Sequence, residues 1–244
     1  MKILSIGNSF SQDAQRWLHK IAEADGFELL TKNLYIGGCS LETHWHNFES
    51  EAVAYAYETN GKQEGDIPRS SIQAALKEEK WDVITLQQVS HYAGRPETYL
   101  PYLEKLLCGV KAICPDARYA FQETWEYEYC STHGGFPFYE SNCDVMYGMI
   151  YATAHDYAAR YGLELIPSGE AAHAAKKLVE FDSKNGGQSL YRDAFHMHLL
   201  YGRMLLGYVW YKKLCNRSPI GNSFVPDGAD PELLKLLQKV ADRF

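Results

Sequence analysis

Hydrophobic positions follow two alternating rhythms along the chain. Apolar, β-rich runs, Lys2–Ile6, Leu29–Ile36, Asp82–Gln87, Arg118–Glu123 and Leu163–Pro167, predict strands. Val83-Ile84-Thr85-Leu86 has the pattern of a strand buried on both faces. Between them, amphipathic stretches over Gln12–Asp25, Leu41–Glu58, Ser71–Lys80, Leu100–Ala112, Val145–Tyr161, Met197–Lys213 and Pro231–Asp242 predict helices. Such alternation implies right-handed crossovers and a parallel sheet covered by helices on both faces. The expected fold is therefore α/β, a three-layer α/β/α sandwich around a central, mostly parallel five-stranded sheet. No repeat, low-complexity tract or Pro/Ser linker divides the chain, so residues 1–244 read as one domain. Two insertions, Thr59–Ser70 and Cys130–Tyr139, are long enough to build the rim of a site.

Composition narrows the function by exclusion. Of 244 residues, 46% are hydrophobic and 23% charged, the balance of a globular enzyme rather than a disordered chain. Lys and Arg number 24 against 31 Asp and Glu, a net charge of −7 with no basic cluster, which argues against a nucleic-acid partner. Apolar stretches such as Met204–Tyr211 are far shorter than the ~20 residues that cross a bilayer, so no membrane partner is expected. Six cysteines without CxxC pairs suggest neither a disulfide framework nor a zinc ribbon. The opening residues read as a buried strand rather than a signal peptide, which points to the cytoplasm, or to export where a leader has been trimmed away.

In an open parallel sheet, ligands bind beyond the carboxyl ends of the strands. The first such end reads Gly7-Asn8-Ser9-Phe10-Ser11 and places Ser9 where strand gives way to helix. Its N–H there can face a developing negative charge, although Ser9-x-x-Gln12 equally fits a capping box. The second end, Gly37-Gly38-Cys39-Ser40, allows close backbone approach or simply a turn. The third carries the amides of Gln87 and Gln88, followed by Val89-Ser90-His91. Near the C-terminus, Asp193 and His196 lie three residues apart. At that spacing a carboxylate can fix an imidazole tautomer while the other ring nitrogen faces outward, the base-and-orienter half of a nucleophilic triad.

Together these blocks resemble the GDSL/SGNH hydrolase superfamily, in a divergent branch. Gly7-Asn8-Ser9-Phe10 is similar to that family's nucleophile block, Gly38 to its oxyanion glycine, and Asp193-Ala194-Phe195-His196 to its DxxH block, with Gly202 six residues on. The resemblance runs from the first strand to the last helices. It implies a flavodoxin-like SGNH fold and a serine esterase or acylhydrolase that needs no cofactor, acting on a small or carbohydrate-linked acyl ester. It also implies a triad of Ser9, His196 and Asp193, with oxyanion donors from Ser9, Gly38 and one of Gln87 or Gln88. Two departures stand out: Asn8 replaces the family's Asp, and Gln87-Gln88 replaces a Gly-x-Asn-Asp block whose Asn donates to the oxyanion. The altered block also fits a catalytically silent carbohydrate- or small-molecule-binding protein on the same scaffold.

Other residues carry weaker readings. Asn8, Ser90 and Trp125 stand at the strand ends where a substrate is expected to bind, and Trp125 with Tyr127, Tyr129, Phe136, Phe138 and Tyr139 predicts an aromatic rim suited to sugar rings. His44-Trp45-His46 and His196-Met197-His198 have HxH spacing. On a helix such residues point apart, so no metal site is expected. Cys39 reads as a small buried thiol. The sequence leaves oligomeric state open.

Overall fold

The computed structural model describes residues 1–244. Five strands are parallel: β1 (Lys2–Gly7), β2 (Leu30–Tyr35), β5 (Val83–Leu86), β6 (Arg118–Gln122) and β7 (Glu164–Ile166). Two further strands, β3 (Tyr55–Thr59) and β4 (Arg69–Ser70), run antiparallel and complete a seven-stranded sheet of order β4-β3-β2-β1-β5-β6-β7. The expected count of five is corrected to seven. The predicted helix Leu41–Glu58 is really α3 (Leu41–Glu49) followed by β3. Glu51, with a φ of 51°, breaks the helical path between them. Tyr55 and Tyr57 then face inward with the spacing of a strand.

The helices cover both faces. On one side α1 (Ser9–Gln15), α2 (Leu18–Ala24), α7 (Ser168–Ala175), α8 (Tyr201–Cys215) and α9 (Pro231–Ala241) pack with Ile3, Val83, Ala120 and Ile166. On the other, α3, α4 (Ile72–Glu78) and α5 (Tyr102–Ile113) pack with Leu4, Ile6, Ile84, Leu86 and Phe121. The long α6 (Cys143–Tyr161) serves both, giving Met146 and Ile150 to the first core and Ala154 and Tyr157 to the second. Successive residues of β1 thus feed opposite cores, as strand pleating requires. Ser5, on the Ile3 face, meets Thr85 Oγ1 at 2.6 Å and accepts from Gln15 Nε2.

The predicted helix Gln12–Asp25 divides at Arg16-Trp17 into α1 and α2. The predicted Met197–Lys213 starts only at Tyr201, because Met197 bridges back to Tyr191 in a small antiparallel hairpin. Residues Met204–Tyr211 are all buried in the protein's own core, and no helix is long and apolar enough to cross a membrane. Read by its parallel strands alone, the sheet runs β2-β1-β5-β6-β7, with the strand order reversing beside β1. That is where open α/β sheets form their binding crevices.

Candidate active site

Ser9 opens α1 immediately after β1, at this reversal. Asn8, not Ser9, caps the helix: its Oδ1 accepts the Phe10 N–H at 3.0 Å and its Nδ2 donates to Cys39 O at 3.0 Å. The capping-box reading of Ser9 is thereby corrected, and the Ser9 hydroxyl is left for another partner. Gly7 is required for space, since a Cβ there would lie 2.0 Å from Ser11 Oγ. Ser11 in turn holds Asn8 O and Asn33 Oδ1 and so pins the turn to β2.

The partner of Ser9 comes from the far end of the chain. His196 Nε2 lies 2.9 Å from Ser9 Oγ, and His196 Nδ1 lies 2.7 Å from Asp193 Oδ2. Asp193 Oδ1 also accepts the backbone N–H of His196 at 2.7 Å and of Phe195 at 3.3 Å, which fixes the carboxylate. Burial raises the Asp193 carboxyl, but the His196 side chain and these backbone donors outweigh it, leaving it below its ordinary value. An ionised Asp193 requires a proton on Nδ1, so Nε2 is free to accept from Ser9. The tight turn between them puts Ala194 at a φ of 68°, left-handed geometry at a non-glycine residue beside the Asp193–His196 pair.

A residue with little signal in the sequence holds the two halves together. Asp13, one turn along α1 from Ser9 and fully buried, accepts from Arg192 Nη1, from Arg203 Nε at 2.8 Å and from the Met197 N–H at 2.9 Å. Arg192 and Met197 flank the Asp193–His196 turn, so one carboxylate clamps the helix of Ser9 to the hairpin of His196. The only hint in the sequence is that Asp13 falls beside Phe10 and Ala14 on the apolar stripe of α1.

The N–H groups of Ser9 and Gly38 donate to no protein acceptor. The turn bearing Gly38, at a φ of 65°, is tied to Asn8 through Cys39 O. The two glutamines separate. Gln88 spends both donor hydrogens on Thr98 and accepts from the N–H groups of Leu41 and Val89, so the geometry corrects its expected place as an oxyanion donor. Gln87 donates to Asn8 Oδ1, beside the serine.

The residues expected to bind substrate are also corrected. Trp125 is fully buried, stacked on Phe10 at 4.1 Å and donating to Phe195 O, so it supports the residues flanking Ser9 and His196 from beneath. Ser90 is buried against Tyr127 Oη at 2.7 Å, and every polar side-chain atom of Asn8 is engaged within the protein. Of the expected aromatic rim, Tyr127, Phe136 and Tyr139 are core, while Tyr129 and Phe138 are exposed. His133 was not anticipated: its half-buried ring lies 4.9 Å from that of Phe195. Burial first, then the charge of His196, lowers its pKa.

His46 is exposed, whereas His44 is buried against Tyr55 and Cys39, and burial lowers its pKa to about 3. Burial pushes the Cys39 thiol up to about 12, which keeps it unreactive at neutral pH. Glu123, at the end of β6, is likewise pushed up to about 8 by burial.

A family model described as a domain of unknown function, DUF4886, matches residues 2–242. The chain belongs to the DUF4886 family. A crystal structure of a DUF4886 protein from Bacteroides uniformis is 33% identical, with a TM-score of 0.91, covering all of this chain and 93% of that one. Beyond the family, this DUF4886 chain is similar to a proposed SGNH hydrolase from Slackia heliotrinireducens, at 22% identity and TM-score 0.60 over 88% of this chain and 98% of that one. It is also similar to a single-substitution mutant of an acetyl-xylooligosaccharide esterase from Geobacillus stearothermophilus, at 14% identity and TM-score 0.51 over 93% and 96%. No curated protein matches the sequence. This DUF4886 chain thus has the fold of the SGNH/GDSL hydrolases.

Proposed function

We propose that the protein is a carboxylic ester hydrolase acting through a Ser9–His196–Asp193 triad on a small acyl ester. One observation carries the reading: residues 187 positions apart form a continuous hydrogen-bonded chain, 2.9 Å from Ser9 Oγ to His196 Nε2 and 2.7 Å onward to Asp193. A serine hydroxyl is a weak nucleophile at neutral pH and needs an adjacent base held in one tautomer. In the proposed reaction Ser9 Oγ attacks the carbonyl carbon as its proton passes to His196 Nε2. The N–H groups of Ser9 and Gly38, which have no other acceptor, receive the oxyanion. Collapse expels the alcohol, which takes the proton from His196, and water attacks the acyl-serine with His196 again as base. The similarity to an acetyl-xylooligosaccharide esterase supports acetyl on a carbohydrate as one candidate substrate.

The engagement of both amide hydrogens of Gln88 and one of Gln87 inside the protein favours a second reading, a binding protein with a silent site. Aryl acetates separate the two. Wild type should release aryl alcohol, Ser9→Ala should lose about 10⁴-fold or more in kcat/KM, and a serine-directed phosphonate should label Ser9 by peptide mass spectrometry. Equal turnover by wild type and Ser9→Ala would reject the hydrolase reading.

A further inference from the structure

A second cluster of ionisable groups lies where β6 ends and α7 begins, two strands along the sheet from Ser9. Glu123 follows β6 and is fully buried, His155 projects from α6, and Glu170 lies in the first turn of α7. One nitrogen or oxygen from each lies within 4.8 Å of the others, with His155 Nε2 and Glu170 Oε1 at 3.0 Å. Glu123 is held in place from one side. Its Oε2 accepts the Glu170 N–H at 3.0 Å, and Gly169 makes room for it, since a Cβ there would come within 3.2 Å of that oxygen and 2.2 Å of Thr124 O. Its other oxygen, Oε1, is buried without a hydrogen-bond partner. The neighbouring basic side chains are already engaged, because Lys176 and His173 both pair with Glu126.

We propose that Glu123, His155 and Glu170 form a binding site for one divalent transition-metal ion of the zinc class. Such an ion takes imidazole and carboxylate ligands at about 2.0–2.2 Å, or about 3.4 Å from one another in a tetrahedral shell, so binding would draw the three donors together. Calcium and magnesium prefer six or more oxygens, and this set offers an imidazole and few oxygens. The His155 and Glu170 side chains are 39% and 23% exposed, so water has access to complete the coordination. An ion there would join β6, α6 and α7, and binding to the folded state alone stabilises it. The site does not depend on the hydrolase reading.

The test uses the full chain, stripped with a chelator, dialysed, and titrated calorimetrically with Zn²⁺ and separately with Ca²⁺, with Co²⁺ absorption as a report on coordination. The expected result is one Zn²⁺ per chain, a raised Tm with Zn²⁺, and no shift with Ca²⁺. His155→Ala and Glu170→Gln should each weaken Zn²⁺ binding by at least about 10-fold. His155 is partly exposed, so its truncation leaves a folded protein even where Glu123→Gln does not. Absence of Zn²⁺ binding to wild type, or undiminished binding in His155→Ala and Glu170→Gln, would overturn the proposal.

Discussion

Asn8 has no idle atom: one oxygen takes the Phe10 N–H and the Gln87 amide, and its nitrogen holds the Gly38 turn through Cys39 O. Because Oδ1 already accepts a backbone donor, the Gln87 atom facing it must be the amide nitrogen, which fixes the orientation of Gln87. Gln87 therefore positions Asn8 and the start of α1, whereas Gln88 braces the loops of Leu41, Val89 and Thr98. Replacing Gln88 by Ala should cost about 1–3 kcal/mol in urea unfolding, because it orphans two buried N–H groups. Replacing Gln87 by Ala should fall mainly on kcat for aryl acetates. A lower kcat for Gln88→Ala with an unchanged urea midpoint would reverse this assignment. The sequence leaves the two amides equivalent, since neighbours at a strand end differ only in which way each points. Trp125 misleads for the same reason: an aromatic past a strand end is equally compatible with a wall of the crevice and with a support beneath it.

Among elements, the junction of α1 with the Asp193–His196 hairpin governs whether Ser9 and His196 meet. Both DxxH and the serine turn are legible as short motifs, yet the clamp between them is not, because Asp13 draws its partners from residues about 180 positions away. Its carboxylate balances two guanidiniums with no exposure of its own. Asp13→Asn leaves both arginines without a counter-charge and should destabilise the fold by about 3–5 kcal/mol, measured by chemical denaturation. In the fraction still folded, the proposed hydrolysis should fall although Ser9, His196 and Asp193 are unchanged. A stability loss under 1 kcal/mol would show that the clamp is dispensable. The strand β3 is hidden for a related reason: Tyr55–Thr59 follows a polar helical run after only a short turn, and its pairing with β2 and β4 is what distinguishes it.

For the molecule as a whole, the parallel core is plain in the sequence because apolar, β-rich runs alternate with amphipathic helical stretches, while the hairpin added beside β2 has no such signal. Acid stability depends on a group beneath that region. With its pKa at about 3 against an ordinary value of 6.5, His44 refuses in the folded state a proton that the unfolded chain accepts. Its neighbours Cys39 and Tyr55 are both pushed upward by burial and stay uncharged. Stability is therefore complete above pH 6.5 and falls with acidification toward pH 3, at about 1.4 kcal/mol per unit from this group. The thermal midpoint should drop between pH 7 and 4.5, and His44→Phe should flatten that decline while lowering stability at neutral pH. An equally steep decline in His44→Phe would assign the acid sensitivity elsewhere.

The sheet's two margins have a consequence for self-association. One ends in the two-residue β4, with Arg69 exposed, and the other in the three-residue β7. Tyr57 N–H is already taken by Pro68 O at 2.8 Å. Margins this short and this occupied give a second copy little backbone to zip onto, which guards the chain against runaway stacking into fibrils.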